Sequence, residues 1–368
     1  MAVSLDAVAA ALDGGPTVFC LPSNGPELES AIAALRPDLP LETDGVAAVV
    51  ATSGSSGEPK GVLLSADALR ASARATHEVL AGPGTWVLAL PTWHVAGLQV
   101  LVRSVVADTT PVELDLARGF DPFALVAPRV EGPVYTSLVP TQLLRAFDAG
   151  VDLSGFDAVL LGGAAASSSL LERARLLGVR VVTTYGSSET SGGCVYDGVP
   201  LPGVSVTLRE GDDRILVGGP TLFSGYRQQT GSTDAFDSAG RFVTSDVGRW
   251  ANGSLLEVLG RADDLIVTGG EKVAPRLVEE ALELHPHVGQ AAVVPREDAE
   301  WGQAVVAYVV GRPGSPAPAL EELRSWVADR VSRAAAPRDV RILSALPLLP
   351  GGKLDRQALR LRASTQEG

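Results

Sequence analysis

Thiols, lysines, basic charge and long apolar runs are all scarce in this chain, and each scarcity removes a class of protein. The two cysteines, Cys20 and Cys194, lie far apart and outside any C-x-x-C spacing. That argues against a disulfide framework or a thiolate metal centre and makes the cytoplasm the default compartment. No apolar run approaches the ~20 residues of a spanning helix, and the stretch Val95 to Val102 is stopped by Arg103, so no membrane partner is expected. Met1 to Leu12 carries Asp6 and no cationic start, unlike a secretory signal. With 30 Lys and Arg against 43 Asp and Glu, the net charge is −13. Nonspecific nucleic-acid binding relies on basic surface and is disfavoured, although a local basic pocket for an anion stays open.

What is present describes a globule: 368 residues, 46% hydrophobic and 20% charged, more than one comfortable core and hence two domains. Only three of the basic residues are lysine, and Lys60, Lys272 and Lys353 all sit in glycine-rich loops, GEPKG, GGEKV and PGGKLD. Lysine is the choice where a compact, flexible charge must meet a phosphate or carboxylate, so these loops point to anions.

The most informative stretch is Thr52-Ser53-Gly54-Ser55-Ser56-Gly57-Glu58-Pro59-Lys60-Gly61-Val62, which follows the apolar run Val46–Val50. Glycines let backbone N–H groups turn inward, hydroxyls add donors and Lys60 adds a mobile charge, the combination that suits a polyphosphate. Its spacing is not G-x-x-x-x-G-K-[ST], because Glu58-Pro59 separate Gly57 from Lys60, which disfavours a P-loop kinase. Four further apolar runs end the same way. Trp86–Leu90 leads into Pro91-Thr92-Trp93-His94, Val134–Val139 into Pro140-Thr141-Gln142, Ala158–Leu161 into Gly162-Gly163-Ala164, and Arg180–Thr184 into Tyr185–Thr190. Helical periodicity follows several of them, at Gln142–Phe147 and Ser168–Leu177. The reading is an α/β fold whose five loops converge on one crevice at the carboxyl ends of the strands. Residues 201 to 260 predict a small β subdomain, and the mixed pattern after a hinge near Arg261–Asp264 predicts a small α+β domain. That second pattern includes a β pair near 256–268, a helix at Arg276–Leu284 and strands near Ala291–Val294 and Ala304–Val310.

TSGSSGEPKGV resembles the phosphate-binding loop of the adenylate-forming enzymes, a family of acyl-CoA synthetases, aryl-CoA ligases, luciferases and peptide-synthetase adenylation domains. The resemblance continues in fixed order along most of the chain, and the joint match makes it specific. It implies a large N-terminal α/β domain with a β subdomain, residues 1–261, and a small α+β C-terminal domain, 262–368, that rotates about a hinge at Asp263. It also implies ATP, CoA and a small-molecule carboxylic acid as substrates, with Mg²⁺. Thr52, Ser53, Gly54, Ser55, Ser56, Gly57 and Lys60 would hold phosphates. In YGSSET, Tyr185 would stack on adenine beside Gly186, Ser188 would bond the α-phosphate and Glu189 would ligate Mg²⁺, a hard cation for which one carboxylate plus phosphate oxygens is adequate. Gly162, Gly163 and Ala164 would lie against the adenine face, and Asp246 and Arg261 would reach the ribose. Gly269 and Gly270 would line the CoA channel, and Lys353 would be the catalytic lysine. His94 stands where the family places an aromatic or histidine gate near the acyl site, with Ser187 also on the acid.

TWHVAGL, TSLVPTQLLR and SGGCVYDGVPLPG look most like the o-succinylbenzoate–CoA ligases of menaquinone synthesis. Arg103 sits in an apolar run, and a buried arginine needs an anionic partner, either a protein carboxylate or the second carboxylate of such an acid. The chain departs from the wider family in starting its phosphate loop at residue 52, with the long N-terminal subdomain largely missing. A second copy of the chain could complete the pocket wall as a homodimer. Two alternatives remain: an acyl- or aryl-CoA ligase for another acid, and a nonenzymatic nucleotide-binding regulator.

Overall fold

The computed structural model describes residues 3–53, 59–228, 235–348 and 354–364. The chain divides into two compact units, one of Met1–Arg209, Ile215–Thr244 and Trp250–Glu257, the other of Glu210–Arg214, Ser245–Arg249 and Val258–Gly368. This division takes Asp246 and Arg261 with the second unit.

The first unit is built on a seven-stranded sheet. Its parallel part runs Val181–Ser187, Ala158–Leu161, Val134–Leu138, Thr85–Leu88, Val112–Glu113 in spatial order. These strands are covered on both faces, which is why they read as continuous apolar runs rather than as alternation. Trp86, Leu88, Tyr135, Leu160 and Val182 face one core with the helix Val95–Val106, while Val87, Ala89, Leu138, Val159 and Leu161 face another with Leu143, Phe147 and Leu170. Because Val112–Glu113 lies on one side of Thr85–Leu88 and Val134–Leu138 on the other, chain order reverses there. The crevice at such a switch point is where open α/β sheets bind ligands. The predicted helices are present at Pro140–Asp148 and Ser168–Leu176.

One of the five predicted strands lies elsewhere. Val46–Ser53 belongs to a separate four-stranded sheet with Val18–Cys20, Pro59–Ser65 and Gly225–Tyr226. Ser53 pairs with Pro59 in an antiparallel hairpin, and the few residues between them are too short for the crossover that a parallel neighbour demands. Strand Val181–Ser187 also runs further than predicted, because Tyr185, Gly186 and Ser187 pair with Val195, Gly193 and Gly192. A bulge falls between Tyr185 and Gly186. Gly186 is required there, since a Cβ would stand 2.0 Å from the Gly192 carbonyl oxygen.

Residues 205–261 form the predicted β region, four strands in the order Ser205–Leu208, Arg214–Gly218, Phe242–Ala251, Leu255–Arg261. The expected β pair near 256–268 does not form. A 3-10 turn at Ala262–Asp264 intervenes, and Ile266–Thr268 pairs instead with Glu271–Val273. Gly269 and Gly270, at φ 59° and 83°, supply the two left-handed positions of that tight hairpin.

The rest of the second unit is the expected α+β arrangement. Val288–Asp298 and Gly302–Gly311 make its central hairpin. Pro275–Glu283 and Leu320–Arg330 cover one face through Val278, Leu282, Leu323 and Val327, while Leu359 and Ala363 of Arg356–Ser364 cover the other. Among the described residues no helix is long and apolar enough to cross a membrane.

Candidate functional site

The short 3-10 turn Ser188–Thr190 sits at the end of Val181–Ser187, and three devices hold it. The Thr190 hydroxyl accepts from the Ser187 amide at 2.9 Å and lies 2.7 Å from the Gly192 carbonyl. Ser191 follows in the left-handed conformation, φ 54°, costly for a side chain other than glycine and tolerated where the surroundings over-determine it. They do so here. Its hydroxyl donates to the Thr221 carbonyl, and its own carbonyl accepts from Ser72 Oγ and, at 2.8 Å, from Gln99 Nε2. The Phe223 amide closes the frame on the Glu189 carbonyl at 2.9 Å.

This frame presents a buried carboxylate. Tyr226 donates its hydroxyl to Glu189 Oε1 at 2.9 Å, and burial followed by the Glu189 charge pushes the phenol far above its ordinary pKa, so it stays a donor. Lys60 Nζ lies 5.3 Å from the centroid of the same ring. The lysine and the acid that the sequence places 129 positions apart (60 and 189) are thus joined through one aromatic side chain, on a strand packed beside the lysine's own. Both strands of the 46–65 hairpin touch the Ser188–Thr190 turn. Thr52 is part-buried opposite Lys60 in the ladder. Ser53 ends its strand, while Gly54, Ser55, Ser56 and Gly57, and likewise Lys353, lie outside the described residues.

The hairpin is anchored from behind. Arg227 donates its amide to the Gly61 carbonyl at 2.7 Å, and its guanidinium, 1% exposed, reaches both Glu42 oxygens and the carbonyls of Leu35, Leu39 and Pro40 at the end of helix Pro26–Leu35. Burial raises the Glu42 carboxyl, but bonding to Arg227 outweighs it and holds the group below the usual range.

At the switch point, Gln142 donates to the Ala89 carbonyl at 2.9 Å and accepts from the Val139 amide at 3.0 Å, so it braces two strand ends. His94 is exposed at the N-cap of Val95–Val106, its ring 5.9 Å from Trp93. Gly97 in the first turn allows that helix to lie on Pro91, whose carbonyl oxygen a Cβ would meet at 2.2 Å. Gly162 is needed because Thr184 Oγ1 would stand 2.3 Å from its Cβ, and Gly163 turns at φ 77°, so packing and turn geometry account for this pair without a ligand. Ala164 is exposed, Tyr185 part-buried and Ser188 buried. The Ser187 hydroxyl oxygen is buried and has no hydrogen-bond partner among the described residues.

For Arg103 the first of the two expected partners, a protein carboxylate, is not found among the described residues. Arg103 is 3% exposed, yet no carboxylate among them lies within ion-pair distance. Nη2 is 3.3 Å from the Tyr196 hydroxyl, the guanidinium carbon lies 4.8 Å from the Trp86 ring centroid, and Nε has no partner. Burial lowers its pKa, and likewise pulls neighbouring His77 down to about 4, with the Arg103 charge adding to the effect. The two thiols are buried and free, each raised to about 12 by desolvation.

In the second unit Asp246 is part-buried within strand Phe242–Ala251, not at a turn, and Arg261 ends the neighbouring strand. Asp263 is exposed in the 3-10 turn. Its neighbour Asp264 pairs with Arg360 at 2.6 Å. Arg356, three residues after Lys353, binds both Glu279 oxygens and the Val293 carbonyl, fixing the last helix to the body. Sequence reasoning passed over Tyr226, Arg227, Ser191 and Gln99. Only the tyrosine of SGYR, beside a glycine on a short strand, offered even a weak signal.

Comparison with known proteins gives the family. Residues 8–227 match the AMP-binding enzyme family and 277–353 the AMP-binding enzyme C-terminal domain. The chain is 47% identical over 367 residues to a probable 2-succinylbenzoate–CoA ligase of Mycobacterium tuberculosis, covering 97% of this chain and 94% of the relative. It is 31% identical to the 2-succinylbenzoate–CoA ligase of Bacillus licheniformis, over 87% of this chain and 70% of that protein. Among solved structures it resembles the o-succinylbenzoate CoA synthetase of Bacillus subtilis in complex with its acyl-adenylate intermediate, with 26% identity and a TM-score of 0.74 over 97% of this chain and 81% of that one. It also resembles an amide bond synthetase from Marinactinospora thermotolerans, with 27% identity and a TM-score of 0.77, over 95% and 76%. The chain belongs to the AMP-binding enzyme family.

Proposed function

We propose that the chain is an acid–CoA ligase that converts o-succinylbenzoate, ATP and CoA to o-succinylbenzoyl-CoA, AMP and pyrophosphate. The observation that carries this reading is the near end-to-end likeness to relatives named as 2-succinylbenzoate–CoA ligases. In the first step a carboxylate oxygen attacks the α-phosphorus of ATP, and the bond to the bridging oxygen breaks as pyrophosphate leaves. In the second, the CoA thiol attacks the acyl carbon, loses its proton and expels AMP.

Lys60, with Thr52, Ser53, Gly54, Ser55, Ser56 and Gly57, receives the polyphosphate. Ser188 bonds the α-phosphate, Tyr185 stacks on adenine over Gly162, Gly163, Ala164 and Gly186, and Asp246 and Arg261 take the ribose hydroxyls. Glu189 fits Mg²⁺: it is a hard oxygen donor, buried and held in place by Tyr226, and such ions keep one or two carboxylates plus phosphate oxygens. When bound, the ion neutralises phosphate charge. Lys353 bridges the attacking carboxylate and the α-phosphate as charge develops. Rotation at Asp263 then withdraws it and brings Gly269 and Gly270 to the thiol's path. His94 gates the acid site, and the Ser187 hydroxyl, without a partner among the described residues, faces the acid. A buried arginine that no carboxylate among the described residues neutralises favours a dicarboxylic substrate, whose unactivated carboxylate would meet Arg103.

ATP–pyrophosphate exchange tests the reading. Exchange driven by o-succinylbenzoate, and not by benzoate or a fatty acid, is the expected result. Equal rates with all three acids would overturn the choice of acid, and no exchange with any acid would overturn the ligase. Lys353→Ala should abolish exchange while sparing thioester formation from supplied acyl-adenylate.

A further inference from the structure

The chain has four histidines, and two of them, His285 and His287, lie in the second unit and have been given no role above. His285 follows the helix Pro275–Glu283, Pro286 turns the chain, and His287 precedes the strand Val288–Asp298. Glu322 stands in the first turn of Leu320–Arg330. One donor atom from each of the three lies within 4.8 Å of the other two. His285 Nε2 is 3.1 Å from Glu322 Oε1, and His287 Nδ1 is 4.0 Å from that same oxygen. Small side-chain rotations would close such a set on a cation whose bonds to imidazole nitrogen and carboxylate oxygen are ~2.0–2.2 Å.

Two observations go beyond proximity. The His285 ring is 3% exposed and lies edge-on to Trp326 at 4.8 Å, while the indole is itself fixed by donating to the Ala281 carbonyl at 2.7 Å. A ligand ring is thus already oriented, as metal-binding histidines usually are by their surroundings. His287 Nδ1 is buried without a hydrogen-bond partner, and an unmet buried polar atom calls for an explanation. A lone pair donated to a cation supplies one.

We infer that His285, His287 and Glu322 form a site for a borderline divalent cation, Zn²⁺ in preference to Mg²⁺ or Ca²⁺. Imidazole selects the transition metals and zinc, whereas the alkaline earths want oxygen alone. The ion cross-braces the end of one helix, the start of a central strand and the first turn of the second helix. Without it, His285 Nδ1 accepts from the His287 amide at 3.3 Å, which leaves the proton on Nε2 facing Glu322. On binding, that proton shifts to Nδ1 and the 3.3 Å contact, already long for a hydrogen bond, opens. The site stands independently of the ligase reading.

Zn²⁺ titrated into the full, untagged chain, freed of metal and without nucleotide, in competition with a chromophoric chelator, tests the site. One equivalent should bind. His287→Ala and Glu322→Gln should each weaken binding at least about tenfold, because losing even an outer partner of a metal ligand costs 10–100-fold. Co²⁺ in the unmutated chain should give the intense visible bands of four- or five-coordination, a readout that needs no variant to fold. No uptake against the chelator, a pale six-coordinate Co²⁺ spectrum, or equal affinity in the double variant would each overturn the site.

Discussion

Tyr226 joins Glu189 and Lys60, the two charges proposed above to meet the metal ion and the polyphosphate. Its hydroxyl orients Glu189 and its ring face lies under Lys60. Tyr226→Phe keeps the ring and removes only the donor. A hydrogen bond to a charged group is worth about 1.5–3 kcal/mol, so ATP–pyrophosphate exchange should fall by roughly 10–100-fold. The loss should show as raised half-saturating concentrations of ATP and Mg²⁺, with KM for the acid little changed. Unaltered exchange would make the tyrosine a packing residue. Arg103 teaches the complementary lesson. Of the two anionic partners the sequence left open for it, a protein carboxylate is absent among the described residues, and a tyrosine hydroxyl and the π-face of Trp86 lie against the guanidinium instead.

At the scale of elements, Arg227 ties the hairpin Val46–Ser53 and Pro59–Ser65 to the end of helix Pro26–Leu35, its backbone amide on the Gly61 carbonyl and its guanidinium on the Leu35 carbonyl. Arg227 satisfies carbonyls left over at a helix C-terminus, where a cation also meets the favourable end of the dipole. Arg227→Ala would strand those carbonyls and Glu42 together. Removing one member of a buried pair costs about 3–5 kcal/mol, and the partly exposed Glu42 puts this case near the lower end. The urea midpoint should drop accordingly, with amide exchange rising first in the two hairpin strands. Protection unchanged in those strands would show that the guanidinium is no anchor. The hairpin was legible as apolar strand plus glycine loop. Its membership of a second sheet was not, because pairing partners are chosen by connection length and coverage of faces rather than by periodicity.

For the whole molecule, stability should depend on pH through the buried cluster of His77, Arg103 and Trp86. His77 titrates at about 4 in the folded chain, against an ordinary value of 6.5, because burial and then the Arg103 charge disfavour its cation. The unfolded chain therefore binds more protons between these values, and folding is stabilised above pH 6.5 and weakened as pH falls toward 4. The full effect is on the order of 3 kcal/mol. Urea unfolding from pH 7 to 4 should show a steeper loss for the natural chain than for His77→Gln, with equal slopes counting against the assignment.

The order of chemical segments, the strand-then-loop rhythm and the two-domain plan were all written in the sequence, because glycine, hydroxyl and apolar periodicity act over a few residues. Tertiary structure alone decided which distant groups meet: Tyr226 with Glu189, 37 positions apart, Arg103 with Tyr196, 93 apart, and His285 with Glu322, 37 apart. Such pairs carry no local pattern. They arise when sheet order and helix coverage bring separate surfaces into contact, and burial then leaves each polar group to find its partner there.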